Sequence, residues 1–98
     1  MATYVSTIKF TAHGVAAIAD TTKRANAFKN AAKKMGVKVN GLYWTLGPFD
    51  GLVVLEAPDE QTVTALMLQL ASRGNVQTQT ARAFEANEMQ DILGRMSK

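Results

Sequence analysis

Ninety-eight residues at 10.6 kDa make one domain, residues 1–98, and exclude any arrangement of separate catalytic and regulatory domains. With 47% hydrophobic and 19% charged residues the composition is that of a globular chain, while 0 cysteines and 1 histidine remove thiol nucleophiles, disulfides, thiolate-held clusters and any multi-histidine metal site within one chain, so no metal and no resident cofactor is expected. The net charge of +3 is unevenly distributed: residues 1–49 carry +6 and residues 50–98 carry −3.

Thr3–Thr11 is rich in β-branched and aromatic residues and predicts a first strand, with Tyr4, Ser6, Ile8 and Phe10 on one face. Thr11–Gly14 then breaks the pattern, and Val15–Ala19 predicts a short helical turn before Asp20–Thr22, a cluster of capping residues. From Lys23 to Met35 the apolar positions Phe28, Ala31, Ala32 and Met35 form one helical stripe, which Gly36 stops. Val37–Leu46 predicts a second strand, with Leu42, Trp44 and Leu46 on one face and Val37, Val39, Tyr43 and Thr45 on the other. The Gly47–Gly51 turn leads into an apolar strand, Leu52–Ala57, which makes the pair a hairpin. Pro58 ends that strand and Asp59 caps a second long helix with Val63, Leu66, Met67 and Leu70 inward, Leu68 off the stripe and Gly74 as the stop. Val76–Phe84 alternates with period two, and Asn87-x-x-Gln90 opens a last helix whose stripe is Met89, Ile92, Leu93 and Met96.

The order β-α-β-β-α-β plus a C-terminal helix is the ferredoxin-like α+β arrangement, a four-stranded antiparallel sheet with both long helices on one face. The other face carries bulky groups and needs a cover. A second copy packed sheet against sheet supplies one, so a homodimer, as a dimeric α/β barrel, or a higher even oligomer built from it is expected. No apolar run approaches the ~20 residues of a membrane span, and the N-terminus lacks the order of a signal peptide, so no membrane partner and a cytoplasmic location are expected. Lys29, Lys33 and Lys34 read as a solvated helix face; without interleaved aromatics they do not point to nucleic acid.

The run Tyr43–Gly51 (YWTLGPFDG), followed by Glu56–Asp59 (EAPD), resembles the GYD domain family, and so do Lys23–Ala25, Gly74–Val76 and Thr78-x-Thr80-x-Arg82-Ala83-Phe84. The glycine, tyrosine and aspartate that name the family match Gly47, Phe49 and Asp50, so this chain lacks the tyrosine hydroxyl. The family is similar to the dimeric α/β-barrel group, which includes cofactor-free monooxygenases, haem-degrading proteins, isomerases and ligand-binding regulators. The resemblance implies the fold and leaves the activity open.

Candidate site residues are few. His13, the one imidazole, is the candidate general base. Arg24 borders the first helix stripe, and Arg82 shares a strand face with Thr78 and Thr80, an array suited to an anion or to an internal pair with Glu56. Asp50 sits in a turn, where an aspartate commonly bonds its own backbone, the alternative being a polar contact near the mouth of a cavity. If the Tyr43 face looks away from the helices, Tyr43, Thr45, Glu56, Thr78, Thr80 and Arg82 line a semi-polar cavity, and Trp44 offers an apolar wall. The expected function is small-molecule binding in a homodimeric barrel. The alternatives are a cofactor-free monooxygenase- or isomerase-like enzyme and a structural oligomerisation module. A cavity of a few hundred Å³ reached by His13 or Arg82 would favour the enzyme, whereas a filled interior would favour the structural module.

Overall fold

Alternation along the two central strands sorts their side chains onto two faces, and the burial pattern shows which one the helices cover. The computed structural model describes residues 1–96. Its elements are β1 (Ala2–Phe10), α1 (Ala12–Ala16), a 3-10 turn (Ile18–Asp20), α2 (Thr21–Lys34), β2 (Lys38–Trp44), β3 (Gly51–Ala57), α3 (Glu60–Ala71), β4 (Val76–Ala83) and α4 (Ala86–Gly94). The sheet is antiparallel throughout in the order β2-β3-β1-β4, the strand order of the ferredoxin-like arrangement. Tyr4 and Ser6 of β1 and Val53, Leu55 and Ala57 of β3 are buried beneath Phe28 and Ala32 of α2 and Val63, Leu66 and Met67 of α3. The opposite face presents Val5, Thr7, Leu52 and Val54, and no layer among the described residues lies over it.

Several local expectations are corrected. The segment after β1 is helical from Ala12, because Thr11 caps it: its Oγ1 accepts from the Gly14 N–H at 3.0 Å and donates to the Gly74 carbonyl at 2.6 Å. Gly14 is there for close approach, since a Cβ would lie 2.0 Å from the Asn75 carbonyl oxygen. Asp20 makes no capping bond to α2, whose first turn continues directly from the 3-10 turn.

The second strand ends at Trp44, and a bulge between Val39 and Gly41 moves Val39 onto the same face as Leu42 and Trp44. Leu46, expected on that face, is fully exposed. The last helix opens two residues earlier than Asn87, because Glu85 is its cap and Glu88 completes a reciprocal capping box. Gly36 and Gly74 stop α2 and α3 with positive φ, and Asp59 caps α3 through the Thr62 N–H at 2.7 Å, as the sequence predicts.

The C-terminal helix projects. None of its residues is buried, it makes no substantial packing contact with another element, and Met89, Ile92, Leu93 and Met96 form an exposed apolar stripe. The radius of gyration of 15.0 Å accordingly exceeds the ~13 Å of a compact chain of this length.

Candidate functional site

A cavity of about 410 Å³ opens between the helix layer and one end of the sheet, where β1, β2 and α3 finish and α2, β3 and β4 begin. Its walls are apolar: Phe28 and Ala31 from α2, Leu66 and Leu70 from α3, Ile8 and Phe10 from β1, and Leu42 and Trp44 from β2. Three charged residues line it, Arg24, Asp50 and Arg73, together with the polar side chains of Thr21, Gln69 and Asn75. An apolar hollow with a few polar groups is the usual composition of a small-molecule site.

Arg24, Asp50, Thr21 and Trp44 are each positioned by a traceable contact. Arg24, half-buried in α2, donates from Nη1 to the Ala17 carbonyl at 2.8 Å and from Nη2 to the Gly14 carbonyl at 3.5 Å, so it caps the end of α1. The Asp50 carbonyl accepts the Thr45 N–H at 3.0 Å within the turn, but the Asp50 side chain does not bond its own turn as expected. Its Oδ2 accepts from the Phe10 N–H at 2.9 Å and its own N–H donates to the Ile8 carbonyl at 2.8 Å, which prolongs the β1–β3 pairing beyond Gly51. Thr45 Oγ1 donates to the Phe49 carbonyl at 2.7 Å and thereby closes the same hairpin turn. The Trp44 indole N–H donates to Thr21 Oγ1 at 3.0 Å, which joins the end of β2 to the first turn of α2 across the cavity. Arg73, exposed in the α3–β4 turn, has no side-chain hydrogen bond or ion pair among the described residues.

The sequence-predicted residues therefore divide. Arg24, Asp50, Trp44 and Tyr43 line the cavity, although the Tyr43 ring lies over Gly41 on the uncovered face, where a Cβ at Gly41 would come within 2.7 Å of Cε2. His13 is exposed on α1 and lines neither this cavity nor the groove described next. Thr78 and Thr80 lie on the helix-covered face opposite Ile8 and Ser6, not on the Tyr43 face, and line a more open groove beside Met67 and Leu68. Glu56 is on the Tyr43 face and accepts from Asn40 Nδ2 at 2.9 Å.

Arg82 is directed elsewhere. It pairs with Glu88 at 2.8 Å and not with Glu56, donates to the Thr3 carbonyl at 3.3 Å and to the Ala83 carbonyl, and stacks over the Phe84 ring at 4.7 Å. The Glu85 backbone N–H, and then Arg82, hold the Glu88 carboxyl below its usual range. Thr21, Gln69, Arg73 and Asn75 were missed by sequence reasoning. Each sits at a helix end or in a turn, where no periodicity distinguishes a residue facing a cavity from one facing water. Among the described residues no three His, Asp or Glu side chains gather as metal ligands, and no helix is long and apolar enough to cross a membrane.

Comparison with known proteins places the whole domain. The GYD domain profile matches residues 4–93. A Thermus thermophilus protein named as a glutamine synthetase and cystathionine beta-lyase binding protein is 44% identical over 64 residues, which are 65% of this chain and 64% of the relative, just under two thirds of its length. Among solved structures, a protein of Thermus thermophilus superposes with a TM-score of 0.57 at 23% identity, covering 88% of this chain and 96% of its own. The 5-chloro-2-hydroxyhydroquinone dehydrochlorinase of Burkholderia phenoliruptrix superposes with a TM-score of 0.62 at 14% identity, covering 89% and 97%. At these identities the structural likenesses concern the fold alone.

Proposed function

Starting from a chain that belongs to the GYD domain family, we propose that it is a small-molecule-binding protein whose site is the cavity between the helix layer and the sheet. The observation that carries this reading is the cavity of about 410 Å³ itself, walled by Phe28, Leu42, Leu66 and Leu70 and bordered by Arg24, Asp50 and Arg73. A purely structural module would be expected to fill such a space. An enzyme using His13 or Arg82 is disfavoured, because neither residue lines the cavity. Native mass spectrometry of protein purified from its source tests the proposal. A retained small molecule is expected, and it should be lost from an Ala31→Phe variant, whose ring occupies the cavity; retention by the variant would refute the assignment.

The proposed working unit is a homodimer formed through the uncovered sheet face, where Val5, Leu52, Val54 and Tyr43 leave an apolar surface that a second copy would bury. Sedimentation at micromolar concentration should give a dimer or a higher even oligomer, and a stable monomer would refute it.

A second reading, recognition of a larger protein, is favoured by the exposed stripe Met89, Ile92 and Leu93 on α4, with Met96 just beyond its end, and by the name of the 44% identical relative. Glutamine synthetase and cystathionine beta-lyase are the first partners to test, with Ile92→Asp as the variant that should abolish association.

A further inference from the structure

We propose that the cavity selects a ring-bearing ligand with one negative charge, such as an aromatic carboxylate, with its ring against Phe28, Leu42 and Trp44 and its anionic end toward Arg24 and Arg73. This rests on the binding reading above and adds the charge and orientation of the ligand. Of the three charged residues lining the cavity, two are guanidinium groups and one is a carboxylate, which leaves one net positive charge. The carboxylate is already engaged, because Asp50 Oδ2 accepts the Phe10 N–H at 2.9 Å. The guanidinium groups retain donors. Arg24 directs only two of its five N–H groups to the Gly14 and Ala17 carbonyls, and Arg73 has no partner among the described residues.

Placement supports the same polarity. Arg73 adjoins Asn75, whose carbonyl accepts the Thr11 N–H at 3.1 Å and lies where a Gly14 Cβ would be, and the Gly14 carbonyl in turn receives Arg24. Both cations therefore belong to the helix-and-turn side of the cavity, around α1 and the α3–β4 turn, whereas Asp50 comes from the hairpin on the sheet side. A planar fork of donors matches the two oxygens of a carboxylate, and apolar walls strengthen the attraction by excluding water. The ring follows from the aromatic walls Phe10, Phe28 and Trp44.

Three probes of one shape separate charge from shape: 4-isopropylbenzoate, 4-isopropylbenzyl alcohol and 4-isopropylbenzylammonium. The full chain is titrated with each, following the fluorescence of Trp44, the chain's single tryptophan and a wall of the cavity. The carboxylate should bind about tenfold more tightly than the alcohol, the gain expected of a charge-assisted hydrogen bond, and the ammonium should bind least. Arg73→Ala, at an exposed position that holds no other element, should bring the carboxylate close to the alcohol. Equal binding of carboxylate and alcohol, or a preference untouched in Arg73→Ala, would overturn the charge assignment and leave the cavity reading standing. Failure of all three probes to perturb Trp44 would overturn both.

Discussion

The two arginines that the sequence offers as site candidates have opposite surroundings. Arg24 sits at the end of the sheet where β1 and β2 finish, caps α1 and still faces a cavity. Arg82 sits at the other end, where Thr3, Ala83, Glu88 and the Phe84 ring take up its guanidinium and fix the start of α4. The difference is one of neighbours and not of residue type. A guanidinium remains able to meet a ligand only where backbone carbonyls and carboxylates leave some of its donors over.

The comparison is broken most severely at Gly14. Gly14→Ala sets a Cβ against the Asn75 carbonyl oxygen, so α1 must move off the α3–β4 turn; a loss of about 1–3 kcal/mol in urea unfolding is expected. A change confined to a few tenths would show that α1 is not seated there. Next in size is Asp50. Asp50→Ala leaves the Phe10 N–H without its acceptor and should cost about 1 kcal/mol, while Asp50→Asn, which retains an amide oxygen, should recover most of it.

The smallest global effect is expected at the Arg82 end. Arg82→Ala should accelerate amide exchange within residues 86–94 while leaving 4-isopropylbenzoate affinity unchanged, and a weakened affinity would join the two ends functionally. Acid should act on the same element. Glu88 is held below its usual range in the folded chain, so its contribution is present above the unfolded-state value and is lost as the pH falls through the lowered folded value. Far-UV circular dichroism of wild type and Glu88→Gln across that window checks it. The acid-induced loss of α4 helicity should be weaker in the variant.

The C-terminal helix also shows what was legible in part. Its apolar stripe is apparent from the spacing of Met89, Ile92, Leu93 and Met96, and the first three lie on it with Met96 just past its end, but period alone does not say what covers it, and among the described residues nothing does. Its cap was misplaced at Asn87 because Asn87-x-x-Gln90 and Glu85-x-x-Glu88 both suit a reciprocal cap. The Arg82–Glu88 pair, held by β4, favours the second.

By itself the chain's order of residues determined the ferredoxin-like element order, the helix stripes that bury Phe28, Ala32, Val63, Leu66 and Met67, and the glycine stops at Gly36 and Gly74. These depend on periodicity and on local backbone preference, which adjacent residues carry. Tertiary structure alone decided which face each strand turns to the helices. One bulged residue at Asn40 reverses the alternation along β2, and cross-strand pairing sets Tyr43 and Glu56 on the face opposite Thr78, Thr80 and Arg82. It also decided the cavity. Thr21 and Arg24 at the start of α2, Asp50 in the hairpin and Arg73 after α3 come from three separate stretches of the chain, and they surround one space only because two helices and a hairpin meet at one end of the sheet.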